Sequence, residues 1–313
     1  MSKFSELLQQ SFKSKDTEEW LDVHFTRPIG LVLALMYKRL HVHPNIVTVI
    51  SMVLGVLAAV MFYYTDLAHN IAGVLLLMLA NFHDSADGQL ARLTNQRTQI
   101  GRFLDGAAGD VWFIGIYFFI CLRLMPQTIP FTDVQWGLWP FVLCAISGIV
   151  CHGRQSALAD YYRNIHLFFL KGKGGSELDS YRQQKALKDA TPWKGNFWYR
   201  FYLENYCNYC KGQEQQTPGF QRFFQTLRNR FPDGKWPESV IGTFLNTSRG
   251  LMTSANVLTF NCRAIVLYIS CLIDMPWLYP VVEIVIFTMI YWNMRLKHEH
   301  CCKKLYLQYL NVQ

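Results

Sequence analysis

The amino-acid sequence predicts an all-α, polytopic membrane protein. It would have six transmembrane helices, an N-terminal interfacial helix and a cytosolic insert between helices 4 and 5. Three observations lead there. Of 313 residues, 51% are hydrophobic and only 17% charged, which suits a membrane protein with a soluble portion. Six apolar runs approach the roughly 20 residues that a helix needs to cross a bilayer. Lys and Arg concentrate in alternate connections between those runs, the pattern of cytoplasmic loops.

The first 25 residues are mixed polar and charged, with no apolar core of a signal peptide. Phe4, Leu7, Leu8 and Phe12, followed by the short apolar stretch Pro28–Met36, predict an amphipathic helix lying along the interface. The expected spans are Asn45–Tyr64, His69–Leu93, Gly101–Leu124, Val134–Arg154, Ser254–Ile273 and Trp277–Met294. The chain divides accordingly into an amphipathic segment 1–43, helices 1–4 in 44–160, an insert 161–252, helices 5–6 in 253–297 and a tail 298–313.

Lys3, Lys13, Lys15, Arg27, Lys38 and Arg39 precede the first span, whereas Thr65–His69 has no Lys or Arg. Arg92, Arg97 and Arg102 join the second and third spans, and only Arg123 borders the next connection. Fourteen Lys or Arg fall between Tyr161 and Met252, Asp274–Pro276 has none, and the tail region carries Arg295, Lys297, Lys303 and Lys304. Both termini are therefore expected inside, in a bacterial inner membrane rather than the endoplasmic reticulum. The net charge of +8 is spent on topology, which argues against a nucleic-acid partner. The nine cysteines are scattered, several in expected cytosolic stretches, so a disulfide framework is not expected. Within the insert, Gly172–Ser176 and Phe231–Pro237 read as turns. The aromatic run Asn196–Cys210 reads as a packed or membrane-facing surface.

Carboxylates interrupt the second and third spans. A charge inside a bilayer is costly, so Asp84, Asp87, Asp105 and Asp110 are functional candidates. At 100° per residue, Asp84, Asp87, Gly88 and Ala91 share one helical stripe, and Gly101 and Asp105 share another. The two spans are antiparallel, which brings Asp87 and Asp105 to similar depth near the cytosolic surface. Three bare carboxylates there would repel. A hard divalent cation relieves that, and all-oxygen ligation favours magnesium, manganese or calcium. Glycine and alanine on the same stripe clear space for a ligand to approach the backbone. Arg92, Arg97 and Arg102 can pair with phosphate. The bland alternative is a structural polar cluster or an ion pathway. Clustering at one depth, beside small residues and arginines, argues for metal-assisted phosphate chemistry.

The pattern Asp84-x2-Asp87-Gly88-x2-Ala91-Arg92-x8-Gly101-x3-Asp105 resembles the signature of the CDP-alcohol phosphatidyltransferases. Pro44-Asn45-Ile46-Val47-Thr48 also looks like the opening of that family's first span. The resemblance is specific over about residues 44–112. It implies six transmembrane helices, a homodimer, and two divalent ions, Mg2+ or Mn2+, held by Asp84, Asp87 and Asp105. It also implies a CDP-linked lipid or CDP-alcohol with its cytidine against Gly88, Ala91 and Gly101. Arg92 would neutralise phosphate, and an acceptor hydroxyl would attack the β-phosphorus and release CMP.

One departure stands out. The family carries its catalytic base four residues after the third aspartate, where this chain has Gly109, and Asp110 follows. On a regular helix Asp110 points about 140° away from Asp105. A one-residue π-bulge between them would return Asp110 to the site as base and metal ligand, and the pliable Gly106–Gly109 stretch favours that expectation. Otherwise Asp110 faces elsewhere, and His83, His152, Glu283 or the acceptor itself takes the proton.

Arg154 and Arg163, at the inner end of the fourth span with His152, Tyr161 and Tyr162, are candidate substrate-binding residues for an acceptor phosphate. The plain alternative is positive-inside flanking. Arg263 and Glu283, both intramembrane, are expected to pair with each other. Cys207-x2-Cys210 with His298, His300, Cys301 and Cys302 makes only a weak case for zinc. The sequence as a whole reads as a membrane transferase of phospholipid biosynthesis. It would move a phosphatidyl group from a CDP-linked lipid to a polyol such as inositol or inositol phosphate, among membrane lipids. The alternatives are a choline- or ethanolamine-type phosphotransferase and a catalytically silent nucleotide- or lipid-binding relative.

Overall fold

A computed structural model describes residues 3–12, 14, 16–96 and 98–310. Lys13, Lys15 and Arg97 lie outside the described residues, as does the side chain of Arg102. The described chain is helical: α1 Lys3–Ser11, α2 Arg27–Arg39, α3 Pro44–Met61, α4 Leu67–Leu93, α5 Gln99–Leu124, α6 Trp139–Ala145 and α7 Gly153–Lys171. Then follow α8 Tyr181–Ala190, α9 Phe197–Gln216, α10 Pro218–Arg230, α11 Glu238–Val257, α12 Phe260–Leu272, α13 Leu278–Val282 and α14 Thr288–Leu305. Wider π-helical turns occupy Asp22–Thr26, Ile146–His152, Glu283–Phe287 and Tyr306–Leu310.

Among the described residues, four stretches are long and apolar enough to cross a membrane: Pro44–Met61, Leu104–Leu124, Trp139–Lys171 and Glu238–Leu272. The expected second and sixth spans are helical but fall outside these four. In α4, His69, Asn70, Asn81, His83 and the aspartates dilute the apolar content. Beyond α13, Glu283, Asn293 and Arg295 do the same. Near the fifth expected span, helix begins at Glu238, inside the expected insert, and pauses at Leu258–Thr259 before α12.

Contacts divide the chain into two compact units. One comprises Met1–Phe12, Glu18–His152 and Arg263–Ile284, and the other Lys13–Thr17, Gly153–Cys262 and Val285–Gln313. In the first unit α2, α3, α4 and α5 pack together. Ala34, Val47, Ala86 and Leu90 form a buried cluster between α2, α3 and α4, so Ala86, next to Asp87, is a core residue. Trp112 of α5 lies over Gly55 of α3, where a Cβ would overlap the indole at 2.0 Å, and its Nε1 donates to Ser51 O at 3.0 Å. Only glycine lets the two helices approach this closely. In the second unit α7, α10, α11 and α14 enclose Phe169, Phe220, Phe223 and Phe244, whose rings pack at centroid separations of 4.2 to 6.4 Å.

Candidate metal and phosphate site

Local rules place the site-bearing helices. Pro44 occupies the first turn of α3, and His43 Nδ1 accepts from Asn45 N at 3.2 Å. Asp66 opens α4 by accepting from His69 N at 3.1 Å, and Thr98 opens α5 by accepting from Gly101 N at 2.9 Å. Between α4 and α5 the chain turns through Asn95, whose φ of +54° is one that asparagine tolerates better than most residues. Lys38 donates to Leu93 O at 3.3 Å and closes the end of α4. From α4, Gln89 reaches Arg27 O at 3.1 Å, and Arg27 forms a two-pronged pair with Glu18 at 2.8 and 3.0 Å.

These constraints bring Asp84, Asp87 and Asp105 together. Each presents a carboxylate oxygen within 4.8 Å of the others. Asp87 is 3% exposed, Asp84 is half-buried and Asp105 is exposed, so the group runs from protein interior to surface. Thr48 of α3 donates its hydroxyl to Asp87 Oδ2. Asp84 Oδ1 and Asp87 Oδ1 are buried without a hydrogen-bond partner among the described residues. Two carboxylates at this separation repel by roughly 4 kcal/mol at an effective dielectric of about 20. Buried acceptors without donors add a desolvation cost. Divalent cations would remove both penalties, and the all-oxygen donor set fits magnesium or manganese.

The surroundings suit a phosphate ligand. The Arg92 guanidinium lies back over Gly88, with Nη1 3.6 Å from where a Cβ would stand, and its charge acts on Asp87. Gly101 sits close to α3: a Cβ there would meet Asn45 Oδ1 at 2.8 Å. Ala91 is half-buried on the same helix as Gly88.

Asp110 requires a correction. The expected π-bulge is absent, and α5 is regular helix from Gln99 to Leu124. Asp110 is therefore turned about 140° from Asp105. It is exposed, stands outside the three-carboxylate group, and interacts electrostatically with His152. The turn of helix that would have carried the family base has Gly109 facing open space, with nothing within 4 Å of a built Cβ. Two of the wider turns, Ile146–His152 and Glu283–Phe287, lie where helices carry the buried polar groups Ser147 and Glu283.

The other candidates resolve differently. Arg263 and Glu283 do pair, and both are buried. Glu283 also takes His152 Nδ1 at 2.9 Å, the hydroxyls of Tyr117 and Ser147, and Tyr279 at 3.4 Å. His83 is tied to Leu79 O and the Tyr37 hydroxyl. Arg163 donates to Thr17 O at 3.0 Å, holding the N-terminal segment, and Arg154 is exposed on α7. The thiol and imidazole groups proposed for zinc do not assemble: among the described residues the aspartates are the metal-competent group. Burial, then the charges of Asp179 and Glu214, push the Cys210 thiol up to about 12, which disfavours the thiolate that zinc needs.

Thr48 was not foreseen as a site residue. Its signal was a hydroxyl in the first turns of an apolar span, one helix away from the aspartates.

Residues 41–167 match the family model for CDP-alcohol phosphatidyltransferase. Over this segment, about two fifths of its length, the chain is similar to that family. It is a family of transferases that move a substituted phosphate from a CDP-alcohol to a hydroxyl acceptor. The match takes in the whole aspartate signature, the Thr48 helix and α7 almost to its end. No curated protein and no solved structure matches the chain significantly.

Proposed function

We propose that this chain is an integral membrane transferase of phospholipid biosynthesis. It moves a phosphatidyl group from a CDP-linked lipid to the hydroxyl of a polyol such as inositol or inositol phosphate. The observation that carries the reading is the three-carboxylate group with two orphaned, buried oxygens. Six spans, both termini on the cytosolic side and a homodimer complete the proposal, supported by the alternation of basic loops and by the family.

Asp84, Asp87 and Asp105 would hold two magnesium or manganese ions, whose chemistry is to neutralise the pyrophosphate and stabilise charge in an in-line displacement. Thr48 fixes the carboxylate plane of Asp87. Arg92, lying over Gly88, pairs with phosphate where the ligand meets α4. The small side chains at Gly88 and Ala91 leave room for the nucleotide along the helix. In the reaction the acceptor oxygen bonds to the β-phosphorus and gives up its proton to the departing CMP phosphate. The bond from that phosphorus to the bridging oxygen breaks, and CMP departs with the electron pair. Arg154 is the remaining candidate for an acceptor phosphate, because Arg163 already holds Thr17.

CMP release by the purified protein with CDP-diacylglycerol and divalent ion tests this. Inositol, inositol phosphate and glycerol phosphate form one set of acceptor arms, and CDP-choline with diacylglycerol the contrasting arm. Release only in the contrasting arm would reassign the chain to the choline- or ethanolamine-type reaction. A second reading, a catalytically silent relative, is favoured by one observation: Gly109 leaves the family's base position empty on a regular helix. CMP at background in every arm, with nucleotide still bound, would establish it.

A further inference from the structure

The second unit carries a groove that the transfer reaction does not use. It has a volume of about 1250 Å³ and is formed by residues of α10, α11, α14 and the π-helical turn after α14. Arg222, Lys297, Lys303 and Lys304 line it together with a single acid, Glu299. That acid is already engaged: Glu299 accepts the backbone N–H groups of Gly219 and Phe220 and so caps α10. Arg222 is held in place, stacked at 4.5 Å over the Tyr306 ring with Nη2 donating to its hydroxyl at 3.2 Å. The three lysines form no ion pair or hydrogen bond among the described residues. Four cations thus face one committed carboxylate.

The lining is also apolar. Leu251 and Leu305 are buried in it, while Leu296 and Leu307 are 65% and 51% exposed. Leu296 continues an exposed stripe on the same helix, after Met289 at 68% and Trp292 at 47%. Those residues follow one another at i, i+3 and i+7, a single helical face. The stripe leads down from the apolar end of the chain's last helix into the groove. Lys297 lies three residues past Met294, where that apolar run ends. At 1.5 Å per residue it falls about 5 Å beyond the run, which is the head-group layer where the proposed sixth span crosses the bilayer, and Lys304 falls about 15 Å beyond.

We propose that this groove binds an anionic phospholipid of the surrounding bilayer. The lysines would take the phosphate, and Leu296, beside the end of the apolar run, the start of an acyl chain. A soluble phosphate would satisfy the cations but leave Leu296 exposed. A neutral lipid would do the reverse. Basic pockets at the cytoplasmic ends of membrane helices recognise acidic head groups in this way.

The test uses the full chain in nanodiscs, either of phosphatidylcholine alone or with phosphatidylglycerol added. Intact-protein mass spectrometry reads the lipid retained after gentle detergent extraction. Wild type should keep one phosphatidylglycerol per chain and melt higher in the mixed discs. The triple variant Lys297→Gln, Lys303→Gln, Lys304→Gln should lose retention on the order of a hundredfold. Its melting temperature in pure phosphatidylcholine should equal wild type. Leu296→Gln should weaken phosphatidylglycerol retention and leave competition by glycerol phosphate unchanged. If the triple variant does not fold, the salt dependence of retention by wild type decides. Loss of the retained lipid in high salt supports the site, and salt-independent retention overturns it. Equal retention of both lipids would also overturn it, as would full displacement by glycerol phosphate, which would mark a soluble-phosphate site. None of these readouts depends on CMP release, so the groove stands or falls apart from the enzymatic reading.

Discussion

Two carboxylate centres in the first unit are built on opposite plans. Around Glu283 the fold supplies every partner: Arg263, His152, Tyr117, Ser147 and Tyr279 all address one buried carboxylate. Around Asp84, Asp87 and Asp105 it gathers three carboxylates and leaves two buried oxygens without donors. The first arrangement closes on itself, and the groups that satisfy the charge belong to the chain. The second has the donor set that a cation from outside would complete. One stabilises the fold, and the other stores repulsion that a ligand relieves.

That contrast is broken most directly at the aspartates. Asp87→Asn should lower CMP release on the order of a thousandfold, the scale on which removing one focused charge interaction in an active site is felt. In EDTA it should melt no lower than wild type, because it removes a repelling charge. A melting temperature that falls in EDTA as far as in magnesium would make the triad structural and remove the distinction between the centres. Isothermal titration with manganese should show the loss of binding directly.

At the other centre the pattern inverts. Glu283→Gln leaves Arg263 buried without its counter-charge, which should cost about 3–5 kcal/mol of stability. EDTA should not alter that cost. Replacing both partners together, Arg263→Met with Glu283→Leu, should recover much of it, since the apolar pair carries no desolvation penalty. Thermal melts of the two single variants and the double variant give the coupling. Additive losses would mean that the pair is not the unit that matters.

A smaller effect is expected at Gly109. A carboxylate four residues after Asp105 would share its face, and a built Cβ meets nothing within 4 Å. Gly109→Asp should therefore be tolerated and raise CMP release by about a hundredfold, the lower end of what a positioned general base contributes. An unchanged rate would show that the acceptor's proton already has a destination in the wild-type chain. Asp110→Asn, at the turned-away position, should leave the rate within about twofold.

Much of this was legible in sequence. Helical periodicity and apolar length located α3, α4, α5 and α12. The spacing of Asp84, Asp87 and Asp105 placed them on facing helices, and two lone charges in apolar runs sufficed to expect the Arg263–Glu283 pair. The π-helical turns were expected in the wrong place. Glycine and alanine between Asp105 and Asp110 make a bulge affordable there, but a helix widens where its neighbours need a side chain re-aimed. That demand came at His152 and Glu283, from residues more than a hundred positions apart. Thr48 escaped for the same reason, since its role depends on Asp87, 39 residues away. The groove in the second unit is formed by three helices distant in sequence, so its lysines read only as a basic tail.

Asp16 provides the scale on which both centres can be measured. Like Glu283 it has partners, Arg249 at 3.1 Å and His166 at 3.2 Å, but a quarter of its side chain meets water. Burial works against its charge, yet the hydrogen bonds from Arg249 and His166 prevail and hold the carboxyl below its ordinary range. The stabilisation is therefore present above the unfolded value of about 3.9 and disappears as pH falls through the lower folded value. Water and salt screen such a pair, so Asp16→Asn should cost less than about 1 kcal/mol. Melting curves between pH 6 and pH 3 should show wild type losing that increment at the acid end, with the variant lacking it throughout. In 1 M salt the two should coincide, while the Glu283→Gln deficit persists, because ions screen an exposed pair and do not reach a buried one. Should salt erase the Glu283 deficit as well, that carboxylate is wetter than its packing implies, and the aspartate group alone would remain as the dry centre of the fold.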